Sequence, residues 1–336
     1  MIRKYPAPHI RKEMNISLIY PHVLIALLPC EAAAIYYYGI RALMLLLVGM
    51  TAYVLSDYLF SQFVRHEKHV WDSSDLVSGA ILALILPPTI PLLYLIIGVF
   101  FASVVIKQCF GGLGSNLFNP AIAARAFLSI AFPSIDAAYA EPLISRWSTA
   151  SLIYGPIDTV SSATPWISQK EHVFELLSGR YPGAIGTTCA VAILVGGIYL
   201  VKQRILKAEA PLTYLLVLSL GYWLGAGVQA TVFGLFYWIF TGGILFAAVY
   251  AMGDYSTTPT TKYGRLIFGG GAAVLTLLIR NFGNPSYAVG FAVLAMNAAV
   301  PVLDLYIRPR IYSLPGWFSG KKKQDINIMA KRGEQL

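Results

Sequence analysis

The residues with the most evident chemical potential are hydroxyls that precede a proline. Val160-Ser161-Ser162-Ala163-Thr164-Pro165-Trp166 gathers three hydroxyl side chains around the small Ala163, ahead of Pro165. Small polar residues before a proline make a tight turn. Such a turn holds a hydroxyl accessible to an esterifying group. An ordinary Ser/Thr-rich turn has the same composition, so the run alone names no reaction.

A second group is Gly111-Gly112-Leu113-Gly114-Ser115-Asn116, followed by Phe118-Asn119-Pro120. Glycines permit close backbone approach, and Asn119-Pro120 is a cap and first-turn pair. A helix N-terminus favours anionic or electron-rich groups. Arg125 lies one to two turns further in, inside an apolar run, where an unpaired charge is costly. Two readings stay open. Gly111, Gly112, Gly114, Asn116, Asn119 and Arg125 either form a ligand site or build a broken-helix turn, with Arg125 paired to Glu31 or Asp57. A third group, Gly253-Asp254-Tyr255-Ser256-Thr257-Thr258-Pro259, reads as helix capping ahead of ligand binding. Glu31, Asp57 and Asp304 sit within apolar segments, as ion ligands or helix-pairing groups. Cys30, Cys109 and Cys189 are scattered, without the paired spacing of a disulfide framework or cluster site.

The elements that position these groups are membrane helices. Hydrophobic residues make up 57% of the chain and charged residues 12%, where soluble domains carry about 25% charged residues. Mean hydropathy is +0.64. About ten apolar segments are legible: residues 18–38, 40–63, 76–86, 91–108 and 119–132, then 184–201, 211–228, 232–252, 264–280 and 285–307. Segment 119–132 would be only about 21 Å long as a helix, against a hydrocarbon core of about 30 Å. Short segments of this kind are broken or tilted, and breaks at membrane depth line cavities.

The two sets of five resemble each other. Asn119-Pro120 opens the last segment of one, and Asn284-Pro285 the last of the other. An odd number of spans per repeat inverts the second copy. The expected fold is therefore all-α and polytopic, with about ten transmembrane helices in two inverted five-helix repeats that include short or broken helices. Residues 1–17 form an N-terminal segment, 18–132 the first repeat, 133–183 an outer loop, 184–307 the second repeat and 308–336 a basic tail. The net charge of +9 is spread between apolar blocks, which sets orientation and does not indicate nucleic acid. Lys and Arg are richest in the connections that share a side with both termini. The positive-inside rule then puts both termini in the cytoplasm and residues 133–183 outside.

Three stretches resemble one family. They are Asp72-Ser73-Ser74-Asp75-Leu76-Val77-Ser78-Gly79 with Pro87-Pro88; Lys107-Gln108 through Gly111–Asn116 to Phe118-Asn119-Pro120-Ala121 and Ala124-Arg125-Ala126-Phe127-Leu128; and Ser161-Ser162-Ala163-Thr164-Pro165. Together they resemble the D subunit of the Rnf complex and its relative, the B subunit of the sodium-pumping NADH:quinone oxidoreductase. The short N-terminus favours the former. The resemblance implies FMN joined through its phosphate to Thr164, within the motif Ser161, Ser162, Ala163, Thr164, Pro165. Ser162 stands where the family has glycine, and it is an alternative hydroxyl. The resemblance also allows a second, non-covalent flavin (riboflavin) near Gly111–Asn119 and Arg125.

The activity so implied is that of one subunit in a ferredoxin:NAD⁺ oxidoreductase that relays electrons across the membrane with Na⁺ or H⁺ translocation. The implied partners are a covalently flavinylated G-type subunit outside, an NAD-binding C-type subunit inside, a flavin transferase and membrane lipid. No Gly-rich dinucleotide fingerprint follows a strand pattern. The rival reading is an inverted-repeat channel or transporter without a redox role, which would be colourless when purified.

Overall fold

Apolar runs of bilayer length with few charges fold as helices, because a helix satisfies its own backbone. The computed structural model describes residues 16–66, 72–136, 139–143, 147, 173–227 and 231–307, and among these every regular element is helical. The first set comprises α1 (Ile16–Tyr38), α2 (Ile40–Phe60, prolonged by π-helical turns Ser61–Arg65), α3 (Ser73–Leu84), α4 (Leu92–Phe100, prolonged by Phe101–Gln108) and α5 (Pro120–Ala131). A short α6 (Val173–Ser178) follows. Then come α7 (Ala190–Lys202), α8 (Glu209–Ala226), α9 (Val232–Phe240), α10 (Ile244–Phe246, prolonged by Ala247–Ala251), α11 (Lys262–Phe282) and α12 (Pro285–Tyr306).

Among the described residues, four helical stretches are long and apolar enough to cross a membrane: Leu18–Tyr38, Ile40–Arg65, Lys262–Phe282 and Pro285–Tyr306. α9 and α10 qualify together, bent by 64° at their break. α3, α4, α5 and α7 are apolar but shorter. Leu47, Leu55, Leu93, Leu216, Leu224 and Phe282 are exposed on the outside of the bundle. A water-soluble monomer does not display so much apolar surface. The chain is a multi-pass membrane protein.

Helix ends are where sequence and structure agree most closely. Asp72 accepts from the Ser74 amide, Asn119 from Ile122, Thr231 from Gly234, Thr261 from Gly264 and Asn284 from Ser286. Each is an Asp, Asn or Thr cap that supplies an orphan N–H with an acceptor. Pro120 and Pro285 occupy the first turn, where no N–H is required.

The core has two centres. One lies among α1–α4 and α7, around Leu27, Leu45, Leu82 and Ile193. The other lies among α8, α10, α11 and α12, around Tyr214, Phe268 and Val293, and it includes Ile122 of α5. α5 packs against α12, which joins the two.

Helix packing in lipid relies on small residues that let backbones approach. A Cβ on Gly79 of α3 would lie 2.6 Å from Gly49 O and 2.8 Å from Met50 Cα of α2. Both obstacles are backbone, so the helices must separate to admit a methyl. Gly79→Ala should therefore destabilise the purified protein by about 1–3 kcal/mol. Gly225→Ala, in open space on α8, should be neutral or stabilising by up to about 1 kcal/mol. Thermal unfolding in detergent, followed by loss of the monodisperse species, reads both. Equal responses of the two variants would contradict the close α2–α3 crossing.

Candidate functional site

Two cavities follow one another along one face of α3, with Ser74, Val77 and Ser78 lining one and Ile85 the other. Ile81 of α3 lines both. From the π-helical stretch of α10, Ala247 and Ala251 face one cavity while Val249 and Tyr250 face the other.

Residues 139, 181–184 and 187 line part of the first cavity, whose empty space is about 1080 Å³ with the open solvent at its mouth counted in. Tyr139, Tyr181, Phe246, Tyr287 and Phe291 give it aromatic walls, and its charged lining residues are Arg125 and Arg280, with no carboxylate among the described lining residues. Pro285 and Ser286, at the N-terminus of α12, also line it. Two guanidiniums and a helix N-terminus make the space electropositive.

Arg280 stands where α9 breaks. Its Nη1 donates to Trp238 O at 3.1 Å and its Nη2 to Thr241 O at 3.0 Å, and the guanidinium lies 4.8 Å from the Trp238 ring centre. The last carbonyls of a helix lack intrahelical partners, and a buried cation there answers both their hydrogen bonding and their dipole. Gly242, with φ +67°, is required at the break, since a Cβ there would collide with Arg280 Nη2. Arg41 also binds backbone carbonyls, but in the connection between α3 and α4 and not at a helix end. It is 2% exposed and donates to the carbonyls of Pro88 and Ile90.

The second cavity is smaller, about 680 Å³ with its mouth, and more polar. Ser74, Lys107, Asn116, Asn119, Asp254 and Ser256 supply its polar lining. Asn119 is central there. While capping α5 it donates from Nδ2 to Asp254 Oδ2 at 3.1 Å. Its own amide N donates to Asn297 Oδ1 at 3.2 Å, and Asn297 Nδ2 donates to Thr257 O at 3.2 Å. Asp254 also accepts from the Ser256 amide, Ser256 Oγ and Thr257 Oγ1. The expected capping by Asp254 is not what the structure shows: no helix begins at residues 255–261, α11 is capped by Thr261, and Asp254 instead closes a turn and cross-links it to α5. Asn116 Oδ1 is buried and takes no hydrogen bond.

The sequence-predicted residues divide between the two cavities. Asn116 and Asn119 line the second and Arg125 the first. Arg125 Nη1 donates to Ser129 Oγ at 2.6 Å. Gly111, Gly112 and Gly114 adopt φ of +111°, +92° and +85° and shape the turn behind the second cavity without lining it. A Cβ on Gly112 would meet Arg65 Nη1 at 3.3 Å. Asp57 is engaged by Lys107 and Gln108, and Asp304 accepts from the Thr260 amide and hydroxyl. Ser161, Ser162, Ala163, Thr164 and Pro165 lie outside the described residues, as do residues 1–15 and 308–336. Sequence reasoning gives no role to Arg280, Tyr139 or Tyr181. An arginine closing an apolar segment just before Asn-Phe-Gly-Asn-Pro is the available signal for the first.

A family profile described as NQR2, RnfD, RnfE matches residues 4–313. The chain is 33% identical to the D subunit of the Na⁺-translocating ferredoxin:NAD⁺ oxidoreductase complex of Acetobacterium woodii, over 92% of this chain and 94% of that protein. It is 30% identical to the D subunit of the proton-translocating ferredoxin:NAD⁺ oxidoreductase complex of Clostridium ljungdahlii, over 90% and 93%. It is 35% identical to the D subunit of the ion-translocating oxidoreductase complex of Stutzerimonas stutzeri, over 89% and 92%.

Asn119 combines a cap acceptor with a donor to Asp254, and the two functions separate by substitution. Asn119→Ala loses both and should cost about 1–3 kcal/mol. Asn119→Asp keeps the cap acceptor but sets a second carboxylate against Asp254 in a low-dielectric site. It should be the more damaging variant near neutral pH and should recover on acidification. Thermal unfolding across pH distinguishes them, and an Asn119→Asp protein as stable as the parent at neutral pH would refute the contact.

Proposed function

Because the chain belongs to the family described as NQR2, RnfD, RnfE, we propose that it is the D-type membrane subunit of an ion-translocating ferredoxin:NAD⁺ oxidoreductase. The relatives that carry this description match it nearly end to end. In this reading the chain acts only within its complex, as part of a translocase that couples electron passage to Na⁺ or H⁺ movement.

The topology that suits this role has ten spans, with α9 and α10 counted as one broken span, in two inverted repeats. The paired Asn-Pro helix starts at Asn119 and Asn284 support it. Both termini face the bacterial cytoplasm. Residues 133–183 face outward and carry Thr164, to which FMN is esterified by a flavin transferase. A phosphoester tether leaves the ring free, and the flavin supplies the electron chemistry.

This chain's residues would supply position and field. Tyr139 and Tyr181, which line the first cavity, flank the Thr164 segment in sequence. The cavity's aromatic walls and two arginines fit a flat, anionic group. Arg125 and Arg280 would hold it, with the α12 N-terminus adding to the field. The second cavity suits the uncharged riboflavin. The buried Asn116 Oδ1 there offers an acceptor to an imide N–H. The observation that carries the relay is the adjacency of the two cavities. They follow one another along one face of α3 and share Ile81, which brings their contents within one layer of side chains. A covalently flavinylated G-type subunit would deliver electrons outside, and an NAD-binding C-type subunit would receive them inside.

The covalent tether is tested on denatured protein. The band of this chain should fluoresce under ultraviolet light after denaturing electrophoresis. Thr164→Ala should abolish the signal while leaving the protein in the membrane. Persistent fluorescence in the variant would move the attachment elsewhere, Ser162 first.

A further inference from the structure

The end of α7 and its connection to α8 carry three cations that neither cavity uses. Lys202, Arg204 and Lys207 are exposed, and no carboxylate among the described residues pairs with them. The connection is nonetheless firmly folded. The amides of Gln203, Arg204 and Ile205 donate to the carbonyls of Tyr199, Val201 and Leu200, each at 3.0 Å, and Ile205 and Leu206 are buried. Arg204 holds φ +60°, a left-handed conformation that after a helix end usually selects glycine. The chain places a cation there instead. Lys207 stands 6.0 Å from the centre of the Tyr255 ring.

Lys207, Tyr255 and Arg265 line one surface pocket, together with Thr258, Pro259 and Thr260 of the α10–α11 turn. Its empty space is about 480 Å³ with the open solvent at its mouth counted in. The carboxylates of this region are already engaged. Glu209 accepts from Arg265 Nε at 3.3 Å and Nη2 at 3.4 Å. Asp254 accepts from Ser256 and Thr257, and Asp304 from the Thr260 amide and hydroxyl. Arg265 directs its Nη1 to the carbonyls of Pro259 and Thr260. Lys207 is thus the lining cation without an ion-pair partner among the described residues, so the pocket suits an anion. Its surroundings are those of lipid. Val191, Val195 and Ile198 form an exposed apolar ridge on α7 that ends at Val201, one residue before Lys202. Leu212, Leu216 and Leu220 form another on α8, beginning a little over one turn after Lys207. Tyr255 and Tyr263 are 55% and 71% exposed, as interfacial aromatics are. Cations at the ends of such ridges stand at headgroup level.

We propose that this pocket binds the phosphate of an anionic phospholipid, with Lys207 as its direct ligand, Arg204 as supporting charge and the acyl chains along the α8 ridge. A phosphodiester brings one negative charge, and its oxygens accept from the ammonium and from the Tyr255 hydroxyl. Basic pockets at the ends of membrane helices take such headgroups. The bound lipid ties the α7–α8 connection to the α10–α11 turn, which carries Asp254 of the second cavity. The site is independent of the flavin relay and of Thr164.

The test uses the purified complex, depleted of lipid in detergent and titrated with short-chain phosphatidylglycerol, short-chain phosphatidylcholine or inorganic phosphate. Native mass spectrometry counts the bound lipid, and thermal unfolding reads the gain in stability. Phosphatidylglycerol should bind and stabilise the parent, while phosphatidylcholine and inorganic phosphate at the same concentration should not. Lys207→Gln should carry one phosphatidylglycerol fewer and require about thirtyfold more for half-maximal stabilisation, the loss of one charge-assisted hydrogen bond. Lys207→Arg should keep the lipid. Lys202→Gln, outside the pocket, should shift half-saturation by about fivefold at most, the effect of one cation near a membrane surface. Equal shifts in Lys207→Gln and Lys202→Gln would reduce the binding to general surface charge and overturn the proposal. Inorganic phosphate binding as tightly as phosphatidylglycerol would overturn the lipid as occupant. So would loss of a subunit from the Lys207→Gln complex, which would give the pocket to an acidic segment of that partner.

Discussion

Every backbone polar group that enters a bilayer without water must be satisfied inside the protein. A fold that breaks its helices at membrane depth exposes more such groups than one that does not. The breaks here are held by a few side chains. Asn119 is the most heavily committed: it caps α5, reaches Asp254 across the structure and meets Asn297 of α12. One amide side chain and its backbone N–H thus fix the start of α5, the turn after α10 and the flank of α12 relative to one another. The second cavity exists because these elements meet without filling the space between them.

The buried cations follow from the same constraint. Arg41 and Arg280 are costly in an apolar interior, yet each donates to backbone carbonyls, Arg41 in the α3–α4 connection and Arg280 at the end of α9. Arg280 combines this with a place on the cavity wall, so the residue that stabilises the break also sets the field of the adjoining space. Structure and electrostatics are coupled there, and breaking a helix beside a ligand site supplies dipoles and charges without inserting a separate polar element.

Much of this is legible in the sequence, in proportion to how local the physics is. The Asn119-Pro120 and Asn284-Pro285 starts are read from adjacent residues, because capping acts within one helical turn. Long-range pairing is not local. Glu31 or Asp57 is the partner offered for Arg125 by the sequence; the structure pairs Asp57 with Lys107 from α4, and Arg125 donates to Ser129 beside the first cavity. The glycine run reads equally as a ligand cradle or a broken-helix turn. Its positive φ angles and the Arg65 guanidinium packed near Gly112 favour the turn, with the cavity beside it. Segment lengths are legible as apolar runs, but the 64° bend between α9 and α10 depends on Gly242 and Arg280 together. The hydroxyl run 161–165 gains its chemical reading from family resemblance, since its composition alone is that of a common turn.

The central proposal is that this membrane chain carries a flavin as part of its own covalent structure. The intact mass of the purified chain tests it most directly. The expected mass exceeds that of the polypeptide by one FMN less one water, with fragmentation placing the increment on the peptide that contains Thr164. A chain at the bare polypeptide mass, isolated from cells that possess the flavin transferase, would contradict it.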